Sequence, residues 1–149
     1  MTRGRGGELG ADLAALVLRL FVAFVLVYGT QDNVFDRERM LEFRDFLAEH
    51  GFPYPLASAH LSAYAQFATG ILLALGLLTR PAALVVVANF LVALFMVHLR
   101  LPFSANIAPL AMLVGGVYFA LAGAPRWSLD AVVARRLRRS PAIGAARKE

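Results

Sequence analysis

The chain has 149 residues, no cysteine and a formal net charge of +5. Its apolar fraction is 59%, or about 64% once Gly is counted and Tyr is not, against ~45–50% on that count for soluble domains. This composition excludes disordered, collagen-like and disulfide-stapled classes, and the missing thiols exclude a thiolate nucleophile, a Cys-ligated zinc and a Cys-held iron–sulfur cluster. Any redox role must therefore use a bound small molecule or a partner.

About 20 consecutive apolar residues are needed to cross a hydrocarbon layer of about 30 Å. The first apolar run, Leu13–Thr30, is broken only by Arg19. It is longer than the apolar stretch of a signal peptide, and no small-residue cleavage site follows it before Tyr28, so it reads as an uncleaved signal-anchor. The polar segment Gln31–Pro55 comes next. Within it Met40, Phe43 and Leu47 recur at helical spacing, with Leu41 and Phe46 beside them. The pattern predicts an amphipathic helix over Asp36–His50 on the outer membrane boundary, capped by Gly51 and stopped by Pro53 and Pro55. Such a helix is either a solvated connector or a lid over an outward-facing cavity.

No formal charge occurs between Glu49 and Arg80, between Arg80 and Arg100, or between Arg100 and Arg126, with His50, His60 and His98 neutral. A helix in water must show it a polar face, and these stretches have none. They predict three more spans, Leu56–Leu78, Pro81–His98 and Ser104–Gly123. The expected fold class is all-α, an integral membrane four-helix bundle forming a single domain over residues 1–149. Pro81 suits the first turn of its span, and Pro109 lies near the start of the last. Small-residue pairs four apart (Gly70 and Ala74, Ala111 and Gly115, Gly116 and Ala120) would let helices approach closely.

The chain ends in a basic tail, residues 126–149, that opens with a short helix over Leu129–Arg139. Ser128 is its expected N-cap, and Asp130 stands at its positive end. Arg135, Arg136, Arg138 and Arg139 are expected to contact lipid head groups, which accounts for the net charge without a nucleic-acid surface. Placing both termini in the cytoplasm puts ten basic residues inside and four outside, the bias that sets membrane orientation.

Polar residues within the spans are costly in hydrocarbon and therefore informative. Arg19 and Asn89 are expected to be buried at similar depths, where Asn89 can accept a hydrogen bond from the guanidinium. Gln66 lies on the second span. Tyr28, Gln31 and Asp32 close the first span, Tyr64 lies on the second, His98 closes the third and Asn106 opens the fourth. In a compact bundle these would ring one outward-opening pocket, so Tyr28, Gln31, Tyr64, Gln66, His98 and Asn106 are the candidate ligand-binding residues. The histidines lack metal-ligand spacing, so no metal site is expected. No phosphate loop, nucleophile elbow or haem attachment motif occurs, and no catalytic residue is assigned.

Several fragments, taken in order, carry a family resemblance. They are Leu18-Arg19-Leu20, Gly29, Gly51-Phe52-Pro53, Gly70, Gly76-Leu77-Leu78-Thr79-Arg80, His98 and Trp127-Ser128-Leu129-Asp130. On these pieces the chain resembles the DoxX family of small four-helix bacterial membrane proteins, over about Ala11 to Val133. The resemblance implies a multi-pass protein of the bacterial cytoplasmic membrane. Some relatives look like subunits of quinone-linked thiosulfate oxidation, and others are associated with oxidative-stress complexes. The chain also departs from the pattern. Where the family often has His-Gly-x-x-Lys, Tyr28, Gly29, Thr30, Gln31 and Asp32 stand here. Where it often has Glu, fourteen residues before the Arg of the Thr-Arg turn, Gln66 stands here. Gln cannot exchange protons as Glu does, and Tyr, with a pKa near ~10, is a poor substitute for His at neutral pH.

The resulting expectation is an accessory subunit of a quinone-linked or oxidative-stress redox system, with a quinone as the possible cofactor and a redox partner protein supplying electrons. Any enzymatic role would be that of an oxidoreductase subunit dependent on that partner. The alternative is a non-catalytic membrane organiser that docks a soluble partner. A small-molecule transporter, with four spans forming half of a homo-oligomer, is the third.

Overall fold

A computed structural model describes residues 5–124 and 126–139. Six α-helices follow one another: α1 (Arg5–Phe35), α2 (Arg37–Glu49), α3 (Pro55–Leu75), α4 (Thr79–Met96), α5 (Phe103–Ala122) and α6 (Leu129–Arg139). A single 3₁₀ turn, His98–Arg100, follows α4, and the described residues contain no strand. The tail beyond Arg139 and the side chains of Arg138 and Arg139 lie outside the described part of the structure.

By length and composition α1, α4 and α5 can each cross a membrane. The 21-residue α3 is also long and carries no formal charge, but its Ser, His, Tyr, Gln and Thr side chains leave it less apolar than these three. Large apolar side chains point outward from the apolar helices: Phe24 is 63% exposed, Val114 67% and Leu121 76%. A bundle folded in water would turn such residues inward; here lipid is the matching solvent.

Helix α1 continues past the expected end at Thr30 to Phe35, because Gln31, Asp32 and Asn33 continue the turn and the break comes only at Asp36. Asp36 then caps α2, its Oδ1 accepting from the Glu38 amide at 2.8 Å. Helix α2 folds back on α3. Its Met40 and Leu47 pack onto Ala59 and Ala63, with Val34, Phe43 and Phe52 around them. Helices α1 and α3 lie together, as do α4 and α5, and α3 joins the two pairs through α4. Their shared core is Val22, Ala23 and Leu26 from α1, Leu73 from α3, Ala82, Ala83 and Val86 from α4, and Met112 and Phe119 from α5. Gly70 is buried where an added Cβ would stand 3.2 Å from the Ala23 carbonyl oxygen, Gly115 faces Val22, and Gly116 faces Val86 and Val87. Ala74 and Ala111, their expected small partners, are exposed.

The α3–α4 turn is locked by α6. Helix α3 ends at Leu75, three residues before the expected boundary, because Gly76 takes a left-handed conformation (φ 64°). The Gly76 and Leu77 amides then bond back to the Leu73 and Leu72 carbonyls, a glycine-capped stop. Leu78 is also left-handed (φ 50°), which costs a residue with a Cβ about 1–2 kcal/mol. The Asp130 carboxylate holds it there. One oxygen accepts from the Leu78 amide at 2.8 Å, and the other accepts from the Thr79 amide and hydroxyl, each at 2.9 Å. In return the Asp130 amide donates to the Gly76 carbonyl at 3.0 Å. Arg19, only 2% exposed, completes the latch by donating from Nη2 to the Trp127 carbonyl at 2.9 Å. Any Cβ on Gly76 would collide with the Arg19 guanidinium and with Ser128.

Candidate functional site: an apolar groove with a polar midpoint

Toward the opposite end from the latch, α2 and the loop after it lie over α3 and α4. The result is a groove of about 620 Å³. Phe43, Phe46 and Leu47 of α2 and Phe52 and Pro53 of the following loop form its cover. One wall is the α3 strip of Ser58, Leu61, Ser62, Ala65 and Gln66. The other wall is α4, where Val85, Val92, Ala93 and Met96 supply apolar surface, and His98 stands at the end of that wall. Aromatic side chains reach the cover because Phe43 and Phe46 share a face of α2 with Leu47, which anchors the helix to α3.

Midway along the groove lies a chain of uncharged polar groups. Gln66 Nε2 donates to Ser62 Oγ at 3.0 Å, and Ser62 Oγ donates to Asn89 Oδ1 at 2.9 Å. Ser62 lies seven residues into α3, and Asn89 seven residues before the end of α4, so antiparallel packing brings them to one level about 10 Å below the helix ends. Two polar atoms remain after these bonds: the Asn89 amide NH₂, a donor, and the Gln66 carbonyl oxygen, an acceptor. His98 Nδ1 is shielded from solvent and has no hydrogen-bond partner. A shielded ring nitrogen without a partner is costly unless a ligand supplies one.

The expected ring of six residues divides. Gln66 and His98 line the groove, together with Asn89. Tyr28, Gln31, Tyr64 and Asn106 do not line it. Tyr28 is 64% exposed and stacks on Phe24 along α1. Gln31 is half-buried on α1, a helix that contributes nothing to the groove. Tyr64 points away from it and stacks on His60. Asn106 is spent on its own helix start, donating to the Leu101 and Pro102 carbonyls. The division follows from helix pairing: α1 is occupied with α3, and α5 with the other face of α4, so neither reaches the groove.

The expected contact between Arg19 and Asn89 is not formed. Arg19 turns to Trp127 in the latch, and half-buried Asn89 turns to Ser62 in the groove. Ser62 was not singled out from the sequence, although its spacing of four from Gln66 on one helix is the signal that would have found it. The polar link from Asp130 to Thr79 joins residues 51 apart, a distance that no local pattern reveals. Arg135 and Arg136 are exposed on α6. No group of metal-ligating side chains occurs among the described residues.

Asp130 lies outside the apolar helices. Burial raises its pKa, but the bonds from Thr79 and Leu78 and the positive charge of Arg19 outweigh that and hold the carboxyl below its ordinary value.

No curated protein and no solved structure gives a match to this chain. The DoxX family model matches residues 14–99, a segment that contains all of α2, α3 and α4 and every residue lining the groove. With more than half of its length matched, this apolar multi-helix membrane protein belongs to the DoxX family.

Proposed function

We propose that the chain is a four-span protein of the bacterial cytoplasmic membrane with both termini inside, and that it serves as an accessory subunit of a quinone-linked redox system. The observation that carries this reading is the groove, which joins apolar walls to an uncharged donor–acceptor pair at mid-depth. A quinone fits that donor set: Asn89 NH₂ would donate to a ring carbonyl, and Gln66 Oε1 would accept from a hydroxyl of the reduced form. Val85, Val92 and Met96 would hold an isoprenoid tail, and Phe43, Phe46 and Phe52 would exclude water. The bound group would supply reversible electron and proton transfer.

The residues of this chain support binding better than proton exchange. Ser62, Gln66 and Asn89 do not titrate near neutral pH. His98 is the one titratable side chain lining the groove. It stands nine residues beyond Asn89, about 14 Å along the chain at helical rise. Protons and electrons would therefore come chiefly from a partner protein, with this chain holding and orienting the carrier. Gln66, where relatives often have Glu, accords with that division of labour.

The test is to purify the full chain in mild detergent, extract its lipids and identify them by mass spectrometry. Wild-type protein should carry quinone. The Ala65→Phe variant, which fills the groove, should retain its melting temperature to within a few degrees and lose about tenfold of the quinone. Absence of quinone from the wild type, or equal amounts in both proteins, would overturn the proposal.

A further inference from the structure

We infer that α6 is a docking surface for anionic phospholipid head groups, held at the membrane boundary by the Asp130 latch. This inference is independent of any ligand in the groove. The first turn of α6 is tied to the ends of α3 and α4 by the Asp130 bonds to Leu78, Thr79 and Gly76. The carbonyl of Trp127, two residues before the helix, is tied to Arg19. These bonds hold the helix where the apolar surface of α4 ends. Past the latch, α6 packs little against the other helices. Its Leu129, Val132 and Val133 are exposed at 43%, 39% and 48%.

An eleven-residue helix with unpartnered apolar side chains is marginal in water. At a bilayer surface those side chains enter the boundary between head groups and acyl chains. The charge then selects the lipid. Arg135 and Arg136 are exposed, and neither forms an ion pair among the described residues. Arg135 donates to the Ala131 carbonyl at 3.0 Å, which leaves its positive charge uncompensated. Guanidinium groups at this level match phosphate oxygens in geometry and sign. A soluble acidic protein would satisfy the charge but would leave the three apolar side chains at the bilayer edge without a matching surface, so lipid is the better occupant.

The chain carries a built-in reporter, because Trp127 is its single tryptophan. It is 47% exposed and stands two residues before α6. The full chain is placed in nanodiscs of phosphatidylcholine containing an equal small fraction of either brominated phosphatidylglycerol or brominated phosphatidylcholine. Trp127 fluorescence should be quenched about twofold or more strongly by the anionic lipid. High salt should reduce the preference, and the R135Q/R136Q variant should cut it to about half or less while its far-UV circular dichroism is unchanged. Arg37→Gln, at the other end of the molecule, should keep it. Equal quenching by the two lipids, or a preference that survives R135Q/R136Q undiminished, would overturn the inference.

Discussion

The two ends of this molecule use polar residues in opposite ways. At the latch, Arg19, Gly76, Leu78, Thr79, Trp127 and Asp130 are drawn together with no space to spare, and the Asp130 carboxylate accepts three hydrogen bonds. At the groove, Ser62, Gln66 and Asn89 form a short chain that leaves a donor and an acceptor over, beside a volume of about 620 Å³. A closed polar cluster determines how helices meet. An open one with leftover hydrogen-bonding capacity has room for a ligand. The difference lies in space: the latch is filled, although Arg19 Nε and Nη1 are shielded there without hydrogen-bond partners, whereas the groove is open.

Mutations should separate the two ends, and the largest effect is expected at Gly76. Gly76→Ala places a Cβ on a left-handed residue already in contact with Arg19 and Ser128. It should destabilise the protein by about 2–4 kcal/mol, read as a lower melting temperature and a loss of monodispersity in detergent.

Asp130→Asn comes next. The amide keeps one acceptor but turns its NH₂ toward the Thr79 donors, and it removes the charge facing Arg19. A loss of about 1–3 kcal/mol is expected. The pH dependence gives a sharper comparison. Because the folded pKa of Asp130 lies below its ordinary 3.8, the latch contribution is complete above that ordinary value and is lost as pH falls through the depressed one. Acid melts of wild type and Asp130→Asn should therefore converge at the lowest pH. Curves that stay parallel throughout would show that the carboxylate does not stabilise the latch.

At the groove the order reverses. Asn89→Leu removes the leftover donor and half of a hydrogen bond, and it adds apolar surface. Its melting temperature should move little, within about 1 kcal/mol of stability, while ligand retention should fall about tenfold. The smallest effect is expected for Tyr28→Phe, at an exposed side chain outside the groove. Stability should stay within about 0.5 kcal/mol and ligand content should not change. A strong ligand effect there would restore the ring of polar residues that the helix pairing divides.

The sequence made the helices legible because lipid solvation leaves a plain mark: long stretches without charge between Glu49, Arg80, Arg100 and Arg126. The amphipathic α2, which is rich in charge, was legible through Met40, Phe43 and Leu47 at helical spacing. Helix ends were less so. The stop at Gly76 depends on a left-handed glycine, and the start at Thr79 depends on a carboxylate from α6, which is remote in sequence. Site composition was legible only in part. Polarity singled out Gln66 and His98 as pocket candidates and Asn89 only as a partner for Arg19, but it could not tell which helix faces meet. Tyr28, Gln31, Tyr64 and Asn106 share a level with the groove residues and not a face. Arg19 and Asn89, expected at similar depths, lie toward opposite ends: Arg19 at the latch beside Gly76 and Trp127, Asn89 in the groove beside Ser62. Counting residues gives depth only where the helix ends are known, and α1 starts at Arg5, not at Leu13; the azimuth of each helix follows from packing, here from Gly70 against α1 and Gly116 against α4.

We propose that the α2–α3–α4 groove holds a neutral quinone. Photo-crosslinking of the purified full chain with an azido-quinone, followed by peptide mapping, tests it directly. Adducts should concentrate on Phe43–Phe52, Ser58–Gln66 and Val85–His98, and excess unlabelled quinone should suppress them. Adducts spread along the exposed faces of α1 and α5, insensitive to competitor, would contradict a quinone site in the groove.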